Sequence, residues 1–102
     1  MTPTSGTKTV TTHGTAEALS STHKLAYWVV VQALASNTNK IYLGGSNVSS
    51  SNGIVLYQGD STPVNMPMAS VNGSVEPINL TQVYIDSAVD GEGVTFMYGA
   101  TT

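Results

Sequence analysis

Ser21-Thr22-His23-Lys24 matches the S-x-x-K pattern, in which a lysine activates a serine nucleophile for acyl transfer. That chemistry needs a helix start and partner motifs in a far larger fold, so a polar bend is the better reading. Gly59-Asp60-Ser61 matches the first residues of some serine esterases and fails on the same ground; Gly and Asp there suit a β-turn. The acidic run from Asp86 to Glu92 has the first, fifth and sixth positions of a calcium loop, Asp86, Asp90 and Gly91. Ala88 stands where a ligand should be, and Met97 takes the position that requires a bidentate carboxylate, so an acidic turn is expected. His13 and His23 have no third ligand nearby, and Gly44-Gly45-Ser46 lacks the Lys-Ser/Thr that completes a phosphate loop. Sequons at Asn47, Asn72 and Asn79 are what chance gives a chain so rich in Asn, Ser and Thr. With no cysteine, disulfides, thiolate metal sites and cysteine nucleophiles are removed together. The chain is therefore read as no enzyme, without a catalytic set, a cofactor or a metal. The aromatic residues Tyr27, Trp28, Tyr42, Tyr57, Tyr84, Phe96 and Tyr98 could stack sugars. Six of the seven fall in expected strands with apolar neighbours, which favours core or interface packing.

The elements that hold these residues are organised around Leu25 to Ala35, LAYWVVVQALA, which carries the single Trp, three consecutive Val and one polar residue, Gln32. Branched and aromatic side chains lose rotamers in a helix and pack well on a pleated surface, so the stretch is read as a strand. Both of its faces are apolar: Leu25, Tyr27, Val29, Val31 and Ala33 on one, Ala26, Trp28, Val30 and Leu34 on the other. A strand with one wet face should alternate, so each side needs cover, and in a small chain the second cover is expected from another molecule.

In order along the chain, residues 1–6 read as a flexible polar arm and residues 7–102 as one β-sandwich domain. Thr7 to Thr12 is expected as an edge strand, Ala16 to Leu19 as a short strand or a helical turn, and Lys40 to Leu43 and Ile54 to Tyr57 as strands. Val64 to Met68 is extended, and Pro63 and Pro67 demote it to an edge. Val75 to Asn79, Val83 to Asp86 and Val94 to Tyr98 complete the set, with turns at His13-Gly14, Asn52-Gly53 and Asn72-Gly73. About seven to nine short strands at this turn density imply an all-β sandwich, jelly roll or small barrel.

Composition narrows the partners. Only 9% of residues are charged, and Ser, Thr, Asn and Gly carry solubility instead, as in β-rich proteins packed into assemblies. A formal charge of −3, with three lysines and no arginine, argues against nucleic acid. The lysines lie in the first 40 residues and most of the acids in the last 43, an asymmetry that could set pairing between copies. No apolar run suggests a signal peptide or a membrane span.

KIYLGGSNVSSSNGIVLYQGDS (40–61), followed by VYIDSAVDGEGVTFMYG (83–99), is similar to small virion proteins of tailed bacteriophages, of the capsid decoration or cement type. In those proteins too a strand ends in Tyr-x-Gly, a Ser/Asn-rich loop closes with Asn-Gly, and a V-Y-I-D strand leads to a G-x-G-V strand. Between the two blocks, Met66 to Pro77 is longer than the usual link. The resemblance implies a jelly-roll-like sandwich on the outer capsid surface, made in the host cytoplasm. It would form a homotrimer that binds the major capsid protein and bridges neighbouring subunits. On this view Tyr27, Trp28, Val30, Gln32 and Leu34 form the oligomer interface. Contacts with the capsid would come from Met1, Thr2, Pro3, Thr4, Ser49, Ser50, Met66 and Met68. The alternative is a phage tail or fibre module that binds host-surface carbohydrate through exposed tyrosines and the Asp86 to Glu92 loop.

Overall fold

The computed structural model describes residues 3–64, 70–71, 74–75 and 77–100, with the side chains of 65–76 left aside. The strands are β1 (Pro3–Thr9), β2 (Glu17–Ala18), β3 (Leu25–Ala33), β4 (Ile41–Gly44), β5 (Ile54–Leu56), β6 (Ser61–Val64), β7 (Ser70–Val71), β8 (Ser74–Val75), β9 (Ile78–Asn79), β10 (Tyr84–Ser87) and β11 (Gly93–Ala100). One 3-10 turn, Leu80–Gln82, follows β9; Asn79 caps it by accepting from the backbone N–H of Thr81 at 3.1 Å.

Two antiparallel sheets form a sandwich. Sheet A has the order β1-β11-β3-β6, with β9 also paired to β3, and sheet B the order β2-β10-β4-β5. Counting only the eight strands of these two orders, the first pairs with the last, the second with the seventh, the third with the sixth and the fourth with the fifth. Such nested pairing is one long hairpin rolled up, with the β4–β5 connection at its tip, and it defines a jelly roll. Among the described residues, β7 and β8 pair with each other as a separate two-stranded sheet.

The strand expected to organise the chain does so. β3 has β11 on one edge and β6 and β9 on the other. It ends at Ala33, so Leu34 and Ala35 fall outside it. One expectation is corrected and one open alternative is resolved. The flexible arm does not run to residue 6, because from Pro3 onward the chain is paired with β11, Pro3 opposite Gly99 and Gly6 opposite Phe96. Hydrogen bonds along β11 order a polar segment that has no burial signal of its own. Ala16 to Leu19 resolves as the two-residue strand β2, held against β10.

The core lies between the sheets. Val29, Val31 and Ala33 of β3 and Val94, Phe96 and Tyr98 of β11 face Ile41 and Leu43 of β4, Leu56 of β5 and Ile85 of β10, with Val10, Leu19, Leu80 and Val83 closing the ends. Phe96 and Tyr98 stack with their ring centres 6.0 Å apart. The Phe96 ring runs beneath β1 because Gly6 has no side chain: a Cβ there would lie 2.7 Å from its Cζ. At the β1 and β2 edges the gap between sheets is bridged by Lys8 Nζ and Glu17 Oε1, 3.0 Å apart.

Candidate assembly surface

The outer faces of the two sheets differ. On sheet B, Tyr42 and Asp86 lie opposite each other and are both buried. Asp86 accepts from the backbone N–H groups of Gly14 and Ser87 at 2.9 and 2.8 Å, so the loop after β1 covers this face. Sheet A has no such cover among the described residues. In antiparallel pairs, opposite residues share a face. Val30 of β3 therefore stands beside Met97 of β11 and Pro63 of β6, and Gln32 beside Thr95 and Ser61. Ser5 and Thr7 of β1 extend the same rows. Trp28 and Val30 are half-buried, and Met97 is 44% exposed. A shallow groove of about 270 Å³ runs across these strands between Ser5, Val30, Gln32, Ser61, Thr95 and Met97.

A β-bulge shapes one end of this face. Trp28 lies opposite Gly99 and Ala26 opposite Ala100, which leaves Tyr27 over, and its side chain is 45% exposed. Alternation thus breaks at Tyr27, and Ala26 is buried although the sequence assigns it to the face of Trp28.

Of the residues expected at an oligomer interface, Trp28, Val30 and Gln32 share the outer face of sheet A, with exposed Tyr27 beside them. Gln32 is held there by donating from Nε2 to the carbonyl of Gly59 at 3.1 Å. Leu34 lies past the strand end, half-buried, and its N–H donates to the carbonyl of Gly93 at 3.1 Å. It belongs to the turn that closes the sandwich rather than to this surface. Sequence reasoning missed Met97, Thr95 and Pro63. The alternation of VTFMYG turns Thr95 and Met97 away from the core, but that β11 neighbours β3 is known only from the topology.

The two ends of the sandwich are chemically unlike. The connections 10–16, 34–40, 57–60 and 88–92 meet at one end; they carry Asp60, Asp90 and Glu92, and Glu17 of β2 and Asp86 of β10 lie on the strands that adjoin them. Glu92 accepts from the N–H of Asn39 at 3.1 Å and the hydroxyl of Thr38 at 2.8 Å, and also from the N–H of Thr38. Asp90 accepts from the N–H of His13 at 2.8 Å and lies 2.6 Å from its Nδ1. Asp60 accepts from the N–H of Tyr57 at 3.2 Å, and Glu17 from the N–H of Thr11 at 2.7 Å. Each carboxylate thus closes its own turn. The expected acidic turn at 86–92 is what the chain forms, and among the described residues no three potential ligands group as a metal site.

The opposite end holds the start of β1, the bend at 20–24 and the Ser/Asn-rich connection 45–53. Lys24 is the one Lys, Asp or Glu among the described residues of these segments. Pro3, Thr4 and Ser50 are exposed there and Ser49 is half-buried, its backbone exchanging hydrogen bonds with Asn52. Four of the expected capsid contacts therefore share one end, while Met1, Thr2, Met66 and Met68 lie outside the described residues. Ser21 to Lys24 is an exposed bend at this same end. A cleft of about 540 Å³ opens beside it between Leu43, Ile54, Val64, Ile78 and Val83.

No protein-family model, curated protein or solved structure matches this chain.

Proposed function

We propose that this protein is a structural component of a tailed-phage virion, a decoration protein that stabilises the capsid from outside. The observation that carries the reading is the outer face of sheet A. There half-buried Trp28 and Val30 and exposed Met97 lie side by side on a sheet face, while the described carboxylates are occupied by backbone N–H groups. Such a face contributes its hydrophobic energy on association, roughly 25 cal/mol per Å² of apolar area covered. Three copies meeting through it form the homotrimer, and the acid-free end with Pro3, Thr4, Ser49 and Ser50 rests on the major capsid protein. A protein that binds only the assembled shell stabilises that state by mass action, with no chemical step. Three contacts held together add avidity that one copy of 10.6 kDa lacks.

The carbohydrate-binding alternative draws less support from the geometry. Tyr42, Phe96 and Tyr98 are buried, and the most exposed pair lie apart in the fold, Tyr27 in β3 of sheet A and Tyr57 in the connection that follows β5 of sheet B. Copy number on purified particles separates the two readings: hundreds for a shell protein, a few dozen at most for a tail module. In solution, light scattering at micromolar concentration should give the mass of three copies, and Met97→Lys should return it to one. A monomeric wild-type chain would overturn the trimer. A protein that does not co-sediment with expanded heads would overturn the decoration role.

A further inference from the structure

Among the described residues the two sheets have four outer edge strands, with the two-residue β9 beside β6 on the same side of β3, and three of the four carry features that discourage strand pairing. β1 begins with Pro3 and turns Lys8 inward onto Glu17. β6 contains Pro63, which lacks an N–H. β2 is two residues long and its Glu17 is tied to Lys8 and Thr11. The fourth edge, β5, has neither proline nor charge. Its residues Ile54 and Val55 and the adjoining Tyr57 are 55%, 42% and 54% exposed, among the largest exposures of apolar side chains in the molecule. No charged residue occurs from Ser46 to Gly59.

We infer that β5 is a second interaction surface, and that it pairs antiparallel with β5 of another copy about a two-fold axis through Val55. An antiparallel ladder has local two-fold symmetry, so an edge strand can meet itself without any second complementary sequence. Val55 then faces Val55 of the other copy, and Ile54 faces Leu56, which covers the exposed isoleucine. No charge lies on Ser46 to Gly59 itself, and the nearest cation, Lys40, has its Nζ 6.0 Å from the Tyr57 ring, beyond the end of β5, so the three paired residues bring no like charges face to face. Pairing β5 with another edge would set it against a proline, an inward lysine or the two-residue β2 with its tied Glu17, so the contact closes on itself instead of growing into a filament. With three residues a side the ladder is short and association weak in dilute solution, rising where copies are crowded. The two sheets B join into one eight-stranded sheet. None of this depends on the trimer through sheet A.

The chain has no cysteine, which permits a direct test. At the two-fold position opposed Cα atoms lie about 4.5–5.5 Å apart, within disulfide range, whereas a residue one position away meets its own copy only diagonally at about 7–8 Å. Under mild oxidation Val55→Cys should yield a covalent dimer at least tenfold faster than Ile54→Cys or Ser50→Cys. Val55→Cys combined with Met97→Lys should cross-link as fast, which separates this contact from the sheet A surface. Equal rates for the three single variants, or a Val55→Cys chain that stays monomeric at millimolar concentration, would overturn the pairing.

Discussion

A methyl group added at Gly93 would sit 2.0 Å from the carbonyl oxygen of Lys8 and 2.6 Å from the Cα of Thr9. Both are backbone atoms of the paired strand, and neither can move without opening the β1–β11 ladder. At Gly6 the nearest atom is the far end of the Phe96 ring, at 2.7 Å, which can tilt. Gly6→Ala should therefore cost about 1–2 kcal/mol and Gly93→Ala about 3 kcal/mol or more in urea unfolding. Beside Gly93, the buried Asn37 side chain stands in for a strand: Nδ2 donates to the Gly93 carbonyl at 2.9 Å and Oδ1 accepts its N–H at 3.2 Å. Asn37→Ala leaves that carbonyl with the N–H of Leu34 but takes the side-chain acceptor from the N–H. A loss of about 1–3 kcal/mol follows, and Asn37→Asp should not restore it, because the carboxylate returns the acceptor but sets a second anionic oxygen, in place of Nδ2, against the Gly93 carbonyl. Neither position announces itself in the sequence. Gly93 reads as part of a Gly-x-Gly turn and Asn37 as one of a Ser/Asn cluster, and only the meeting of two distant turns gives them their roles.

Among the elements, the turns at the charged end make the fold sensitive to acid. Hydrogen bonds from the His13 N–H and ring hold the Asp90 carboxyl below its ordinary 3.8. The Thr38 N–H, assisted by its hydroxyl and the Asn39 N–H, holds Glu92 below 4.5 against a small opposing effect of burial. For Glu17 burial pulls upward and is outweighed by Lys8 and the N–H groups of Thr11 and Thr12, again leaving it below 4.5. Carboxyls lowered in the folded state contribute stability that is fully present above their ordinary values and is lost as pH falls through the folded ones. The melting temperature should be flat above about pH 5 and drop below it, and Glu92→Gln should flatten the drop. The exposed His13–Asp90 pair, at 59% and 62% side-chain exposure, should matter little to stability on its own. At this scale much was legible. The strands at 25–33, 41–44, 54–56, 84–87 and 93–100 lie where branched and aromatic runs put them. The start of β1 was not, because Thr, Ser and Gly on an edge strand look the same as an unstructured polar arm. The bulge at Tyr27 was not, since nothing local marks it; it arises from the register between β3 and β11.

The whole molecule follows from nested pairing, and so does its folding. Most of its pairings join residues far apart in the chain, Pro3 with Gly99 at the extreme, which places refolding in the millisecond-to-second range. Trp28, the single tryptophan, lies opposite Gly99 and reports the docking of β11 on β3. Stopped-flow fluorescence should show Gly53→Ala slowing refolding: a Cβ there would meet Val48 at 2.6 Å and the Leu43 carbonyl at 3.0 Å, at the tip of the rolled hairpin. Gly6→Ala, on the outermost pair, should instead speed unfolding and leave the refolding rate nearly unchanged. Of this architecture the sequence supplied the class, an all-β sandwich of jelly-roll type. The order of strands in each sheet, and with it the Met97 surface, waited on contacts that span the chain. That nesting has a further consequence. Once β4 meets β5 the ends of β3 and β6 are held near each other, so the entropy of closing their loop is already partly spent, and the same holds for each pair outward. The chain can close like a zip from Ile54 and Leu43 toward Pro3 and Gly99, and during synthesis β1, the first strand made, waits without its partner until Gly93 and the residues after it have been added.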